Sequence, residues 1–197
     1  MGTNYEKIVE ENLLKLFSEI PPDFDKSIGG EKSGEGFSFR AFGEDCRISP
    51  AGITLGAKQC VDPRGLLISL YALHPTHGPI QLEPFKSFKE LPGSMPYQGA
   101  FSANSERVLV PCTEPIKENQ EGIIEVFDGE DGHEGDLSFI LYPLPKIALY
   151  YIFYLGDEDF PPSATCLFSA NAVSFMPLAG LADVAEYTSK GIIKFIS

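Results

Sequence analysis

Residues 147–168 read IALYYIFYLGDEDFPPSATCLF. Ile147 to Leu155 is almost wholly apolar, the signature of a buried strand. Gly156-Asp157-Glu158-Asp159-Phe160-Pro161-Pro162 breaks it with the residue types that turn a chain. Ala164 to Phe168 is apolar again. Strand, short turn and strand in succession make a hairpin, and a hairpin makes an antiparallel sheet.

Outward from this hairpin, strands are expected at 137–142 and 172–176, with Ser169-Ala170-Asn171 as the turn between 164–168 and 172–176. Pro177 opens a C-terminal helix bearing Leu178, Leu181, Ala182, Val184 and Ala185, with Gly191 as its end signal. Upstream, 128–136 (DGEDGHEGD) reads as a disordered acidic loop, and 100–109 as a short helical stretch. Residues 84–99 read as irregular, anchored by Phe85, Phe88 and Tyr97.

Asp62-Pro63 begins a central helix: Asp62 caps free N–H groups, and proline at the first helical position forfeits no bond. It is apolar nearly all round, from Leu66 to Leu73, and ends at His74-Pro75. Strands are expected at 37–42, 46–48 and 53–55, as a meander or a hairpin. A polar link at 23–36 joins them to an amphipathic helix at 3–20, with Thr3 and Glu6 at capping-box spacing and Pro21-Pro22 as its stop. Helices and strands segregate. The fold class is therefore α+β, a mainly antiparallel sheet packed with N-terminal, central and C-terminal helices, in a single domain over 1–197.

The net charge of −13 repels phosphate, so nucleic acid and membrane are not expected partners. No apolar window is long and unbroken enough to span a bilayer, and no signal-peptide pattern opens the chain. Cys46, Cys60, Cys112 and Cys166 show no C-x-x-C spacing, which argues against a zinc ribbon or a cluster bound by this chain alone. They read as free thiols in a reducing, cytoplasmic setting.

Four candidate site residues stand out: Asp157, Glu158, Asp159 and His74. Alternate residues of an extended segment share a face, so Asp157 and Asp159 are placed to converge on a divalent ion or a transferred proton. The other reading is a solvated turn that Asp157 closes onto nearby backbone. His74 and His77 flank a helix end with a proline between them, which suits the helix dipole better than a zinc pair. Counted from Asp128, the acidic loop lacks the glycine and glutamate of a calcium loop. No nucleophile elbow or phosphate loop is present, and no cofactor is expected.

Pro143-Leu144-Pro145, the apolar run, Gly156-Asp157-Glu158-Asp159-Phe160-Pro161 and Cys166-Leu167-Phe168 together resemble the prokaryotic family called domain of unknown function 3786. Phe88-Lys89-Glu90-Leu91-Pro92-Gly93, with Tyr97 and Phe101, is similar to its middle motif, and Leu66 to Tyr71 to its central helix. The chain departs from the family at Ser169, where an acid is common, and at Ala179-Gly180, also often acidic. The resemblance implies anaerobic bacteria and archaea, and relatives that carry a cysteine-rich iron–sulfur segment like that of corrinoid proteins. This chain lacks that segment, so such a link would run through a partner. The leading expectation is a non-catalytic accessory or binding domain that recognises a corrinoid or iron–sulfur protein or a small ligand. The alternative is an enzyme whose metal or acid/base site lies around Asp157–Asp159, with His74 assisting.

Overall fold

A computed structural model describes residues 4–197, in which two five-stranded antiparallel sheets are braced by helices, an α+β fold. The first half comprises helix α1 (Asn4–Ser18), the short α2 (Phe24–Ile28), strands β1 (Glu31–Ser33), β2 (Gly36–Ala41), β3 (Glu44–Ser49), β4 (Gly52–Leu55) and β5 (Lys58–Gln59), and helix α3 (Pro63–Ala72). The five strands form a simple meander in chain order. Phe37, Phe39, Ala41, Cys46, Ile48, Ile53 and Leu55 are its buried face, as the period-two alternation requires. The expected link at 23–36 is more structured than its composition suggests. Phe24 and Ile28, four apart, bury one face of α2, and the Tyr71 hydroxyl donates to the Ile28 carbonyl at 2.7 Å.

Thr3 of the expected capping box lies outside the described residues. Helix α1 stops at Ser18, just ahead of the two prolines, and its apolar stripe is only partly used. Leu13 and Leu16 are buried, whereas Leu14 is 73% exposed. Helix α3 starts as its sequence dictates: Asp62 Oδ1 accepts from the Arg64 backbone N–H at 2.8 Å, with Pro63 in the first turn.

The second half begins with β6 (Lys86–Ser87), followed by α4 (Gln98–Phe101), a π-turn at Ser102–Glu106 and a 3₁₀ segment at Arg107–Cys112. Helices α5 (Thr113–Glu118) and α6 (Gln120–Val126) lead into β7 (Glu130–Asp131), β8 (Leu137–Leu144), β9 (Ile147–Tyr154) and β10 (Ser163–Phe168), and α7 (Leu178–Ile196) closes the chain. The sheet order is β6-β10-β9-β8-β7. β9 is the centre, and every residue from Ile147 to Phe153 is buried. Its alternate residues face different covers. The Tyr151 hydroxyl donates to the Ala185 carbonyl of α7 at 3.3 Å, while Tyr150 packs on Phe85 with ring centroids 4.9 Å apart. A central strand covered on both faces loses the polar alternation of a half-exposed one, which is why 147–155 is a continuous apolar run.

Four expectations are corrected. Residues 172–176 are not a strand. Ala172, Phe175 and Met176 are buried while Val173 and Ser174 are exposed, a helical spacing that the 3₁₀ turn at Ala172–Ser174 satisfies. Gly191 does not end the C-terminal helix, which runs on to Ile196. A Cβ there would lie 2.9 Å from Phe127 Cζ, so its glycine admits a buried ring. Tyr97 is no anchor, being 53% exposed, whereas Phe88 stacks on Phe101 at 4.2 Å. The 128–136 segment is an ordered flap, described below.

The sheets meet at Phe42, whose backbone N–H donates to the Pro143 carbonyl at 2.7 Å. Phe42 has φ 50°, a left-handed conformation unusual for a bulky residue, and it turns β2 into β3 together with Gly43 at φ 79°. Its ring is buried, which offsets the backbone cost. Pro143 sits where the β8–β9 register shifts, so it deprives the ladder of no donor that a regular pair would use. One hydrophobic cluster runs through both sheets and the helices between them.

Candidate functional site

The β9–β10 connection carries three of the four sequence-predicted residues. Asp157 Oδ1 accepts from the backbone N–H of Asp159 at 2.9 Å and of Phe160 at 2.7 Å, and Asp157 N–H donates to the Phe160 carbonyl at 2.9 Å. This is an Asx-type closure in which one carboxylate oxygen satisfies two donors. Asp157, Glu158 and Asp159 are all exposed, as is Phe160 at 71%. His74 belongs elsewhere: its Nδ1 lies 2.8 Å from the Leu70 carbonyl at the end of α3. His77 pairs with the Ser27 hydroxyl through Nδ1 at 3.0 Å, so the two imidazoles have separate partners. Among the described residues no group of three or more His, Cys, Asp or Glu side chains is placed to hold a metal ion.

The four cysteines are unpaired thiols. Burial, with further contributions from Cys60 and Glu44, pushes the Cys46 thiol far up, and burial beside Glu106 does the same to Cys166. Cys60 is pushed up to about 11, again mainly by burial. Thiols held protonated in this way are poor nucleophiles.

The acidic flap is the feature that sequence reasoning missed. Tyr150 stands on the face of β9 opposite α7, and its hydroxyl accepts from the backbone N–H of both His133 and Glu134 at 3.1 Å. Ser138 Oγ accepts a second bond from Glu134 N–H at 3.1 Å. Gly132 N–H donates to the Ser138 carbonyl, Asp136 N–H to the Phe153 carbonyl, and Asp136 Oδ2 accepts from Leu155 N–H at 2.9 Å. These bonds fasten a polar segment across an apolar sheet face. The Asp136 bond brings the C-terminal end of the flap to the end of β9 from which the 157–159 turn leaves.

Between this flap and the 82–85 segment lies a cleft of about 530 Å³. Its floor is Phe85, Ile140, Tyr150 and Leu167, and its rim carries Glu83, Glu130, Asp131, His133 and Glu134. The Glu130 carboxylate accepts from the Tyr142 hydroxyl at 2.6 Å, and Asp131 from the Gln120 amide at 2.7 Å, so parts of the rim are held in position. An apolar floor inside an anionic rim is suited to a group that is apolar at one end and cationic at the other.

Fold and cleft together define an α+β protein with an acid-rimmed cleft on one sheet face. The profile of the family Domain of unknown function (DUF3786) matches residues 20–190, and the chain belongs to that family. No curated protein and no solved structure matches it. No helix among the described residues is long and apolar enough to cross a membrane.

Proposed function

We propose that the protein is a non-catalytic binding domain of cytoplasmic anaerobic metabolism, acting as a single domain on a protein partner. The class that the family resemblance suggests for this partner is a corrinoid or iron–sulfur protein. The observation that carries the binding reading is the Tyr150 clamp. One buried hydroxyl holds the backbone of His133 and Glu134, so the stretch that carries the rim acids is ordered beside the Phe85–Tyr150 floor. A rim ordered before binding lowers the entropic cost of docking. The partner segment that fits is a basic side chain next to an apolar one.

In this reading Asp157 serves the turn, while Glu158 and Asp159 extend the negative field that steers a basic partner. The test is capture from anoxic extract by the wild-type chain and by a Glu83→Lys/Glu134→Lys variant. Stoichiometric recovery of a corrinoid or iron–sulfur protein, lost with the variant and at raised salt, is the expected result. Recovery of nothing, or equal recovery by both chains, overturns the reading.

A further inference from the structure

A second cleft, of about 220 Å³, lies on the α7 side of the sheet, between residues 97–105 and 179–186. Its walls are Tyr97, Phe101 and Ala182. Its polar groups have unequal commitments. Glu186 is fully engaged: one oxygen accepts from the Asn104 amide at 2.9 Å and the other pairs with Lys190. Asp183 is exposed at the mouth of the cleft, accepts no hydrogen bond and forms no ion pair among the described residues, and partial desolvation there, with the neighbouring Glu186 charge, raises its carboxyl above the ordinary value.

An independent observation points to a ligand. Ser105 lines the same cleft with 0% exposure, and its Oγ has no hydrogen-bond partner. A buried hydroxyl left unpaired costs on the order of 1–3 kcal/mol, so its persistence calls for an occupant or a role. Its own carbonyl is satisfied, accepting from Ser189 Oγ at 2.7 Å, which fixes the backbone and leaves only the hydroxyl free. The segment carries two more such atoms, Ser94 Oγ and Gln98 Oε1. Ser105 also belongs to the π-turn at Ser102–Glu106, a geometry that is rare and recurrent at ligand sites.

We propose that this cleft binds a small organic ammonium compound, its charged nitrogen between Asp183 and Ser105 and its apolar body against Phe101, Tyr97 and Ala182. The volume fits a compact amine and not a nucleotide. The donor set lacks the three or more carboxylates or imidazoles of a metal site. An ammonium group supplies the hydrogen-bond donors that Asp183 and Ser105 can accept, and the Tyr97 ring adds cation–π attraction. This site is separate from the acid-rimmed cleft, which lies on the opposite sheet face, and it stands or falls independently of that reading.

The test is an amide-resolved NMR titration of the full chain with n-butylammonium chloride, and with n-butanol as the uncharged analogue. Saturable shifts confined to 97–105 and 179–186 are expected from the amine, with millimolar affinity, and binding of the alcohol at least about tenfold weaker. Asp183→Asn weakens the amine about tenfold, whereas Glu19→Gln, which removes the same charge from an exposed helix end, leaves it unchanged. Ser105→Ala weakens the amine severalfold without lowering the unfolding midpoint, because it deletes an unpaired group. No saturable shift at these residues, equal binding of the alcohol, or an Asp183→Asn variant that binds as wild type overturns the proposal. A Ser105→Ala variant that binds as wild type and unfolds more easily overturns the assignment of that hydroxyl to a ligand.

Discussion

Asp157 and Phe160 close the β9–β10 turn on each other: Asp157 N–H donates to the Phe160 carbonyl at 2.9 Å, and Phe160 N–H donates back to Asp157 Oδ1 at 2.7 Å. The carboxylate that looked most available for chemistry is thus the one most occupied by backbone. Replacing it should cost stability: Asp157→Ala lowers the unfolding free energy by on the order of 1 kcal/mol, since the freed N–H groups are exposed and regain water. Glu158→Gln and Asp159→Asn stay within about 0.5 kcal/mol of wild type. Urea titrations of the three variants check the contrast, and an equal loss in all of them would count against the turn-closing role.

Tyr150→Phe removes the hydroxyl that holds the flap while leaving the ring on Phe85. The His133 amide should exchange with solvent about fivefold faster, the equivalent of about 1 kcal/mol of lost protection, and the Glu134 amide, which keeps its bond to Ser138 Oγ, by less. Amides of β9 itself should keep their rates, because their ladder bonds are untouched. Hydrogen-exchange mass spectrometry or NMR separates the two regions.

Gly191 and Gly122 provide a paired test of packing against helix propensity. Alanine is the better helix former by roughly 0.5–1 kcal/mol at either position. At Gly191 the added methyl meets Phe127, whose ring is 2% exposed and cannot retreat. Overpacking of about 1–3 kcal/mol outweighs the propensity gain there, and Gly191→Ala should melt lower. At Gly122 the neighbour is Phe195, 42% exposed and free to swing outward, so Gly122→Ala should be near neutral or mildly stabilising. Thermal melts should show a lowered midpoint for Gly191→Ala and an unchanged or slightly raised one for Gly122→Ala.

Asp62 supplies a pH dependence. Burial by itself would raise its carboxyl, but the hydrogen bonds and charge of Arg64 outweigh burial and hold it below its ordinary value of 3.8. A folded-state pKa below the unfolded one stabilises the fold above about pH 4, and that contribution is lost as the pH falls through the folded value. Asp62→Ala should therefore cost about 1 kcal/mol near neutral pH, including the lost N-cap, with a gap to wild type that narrows in acid. Asp62→Asn, which keeps an acceptor for the Arg64 N–H, should recover part of the loss. Denaturant midpoints measured from pH 7 down to about pH 3 follow the closing gap.

What the amino-acid order determined by itself was local. The run Ile147–Leu155, the turn behind it, the Asp62-Pro63 helix start and the prolines after α1 act through neighbours a few residues away, so periodicity and turn chemistry sufficed to read α+β. Phe175 and Met176 show the edge of that method: a five-residue apolar window suits a strand or a 3₁₀ turn equally, and the burial of adjacent residues decides between them. Gly191 shows it again, because nothing near it in sequence announces that Phe127 will lie against it. The division of the strands into two sheets, the pinning of 128–136 by Tyr150, and the placing of Ser105 and Asp183 in the lining of one cleft belong to the tertiary structure alone. Each joins residues apart along the chain that only packing brings together: β9 against the flap in one case, the π-turn against α7 in the other. The acids of Asp157–Asp159 were legible as a feature, but whether each binds backbone or solvent depended on the path of the turn between two buried strands.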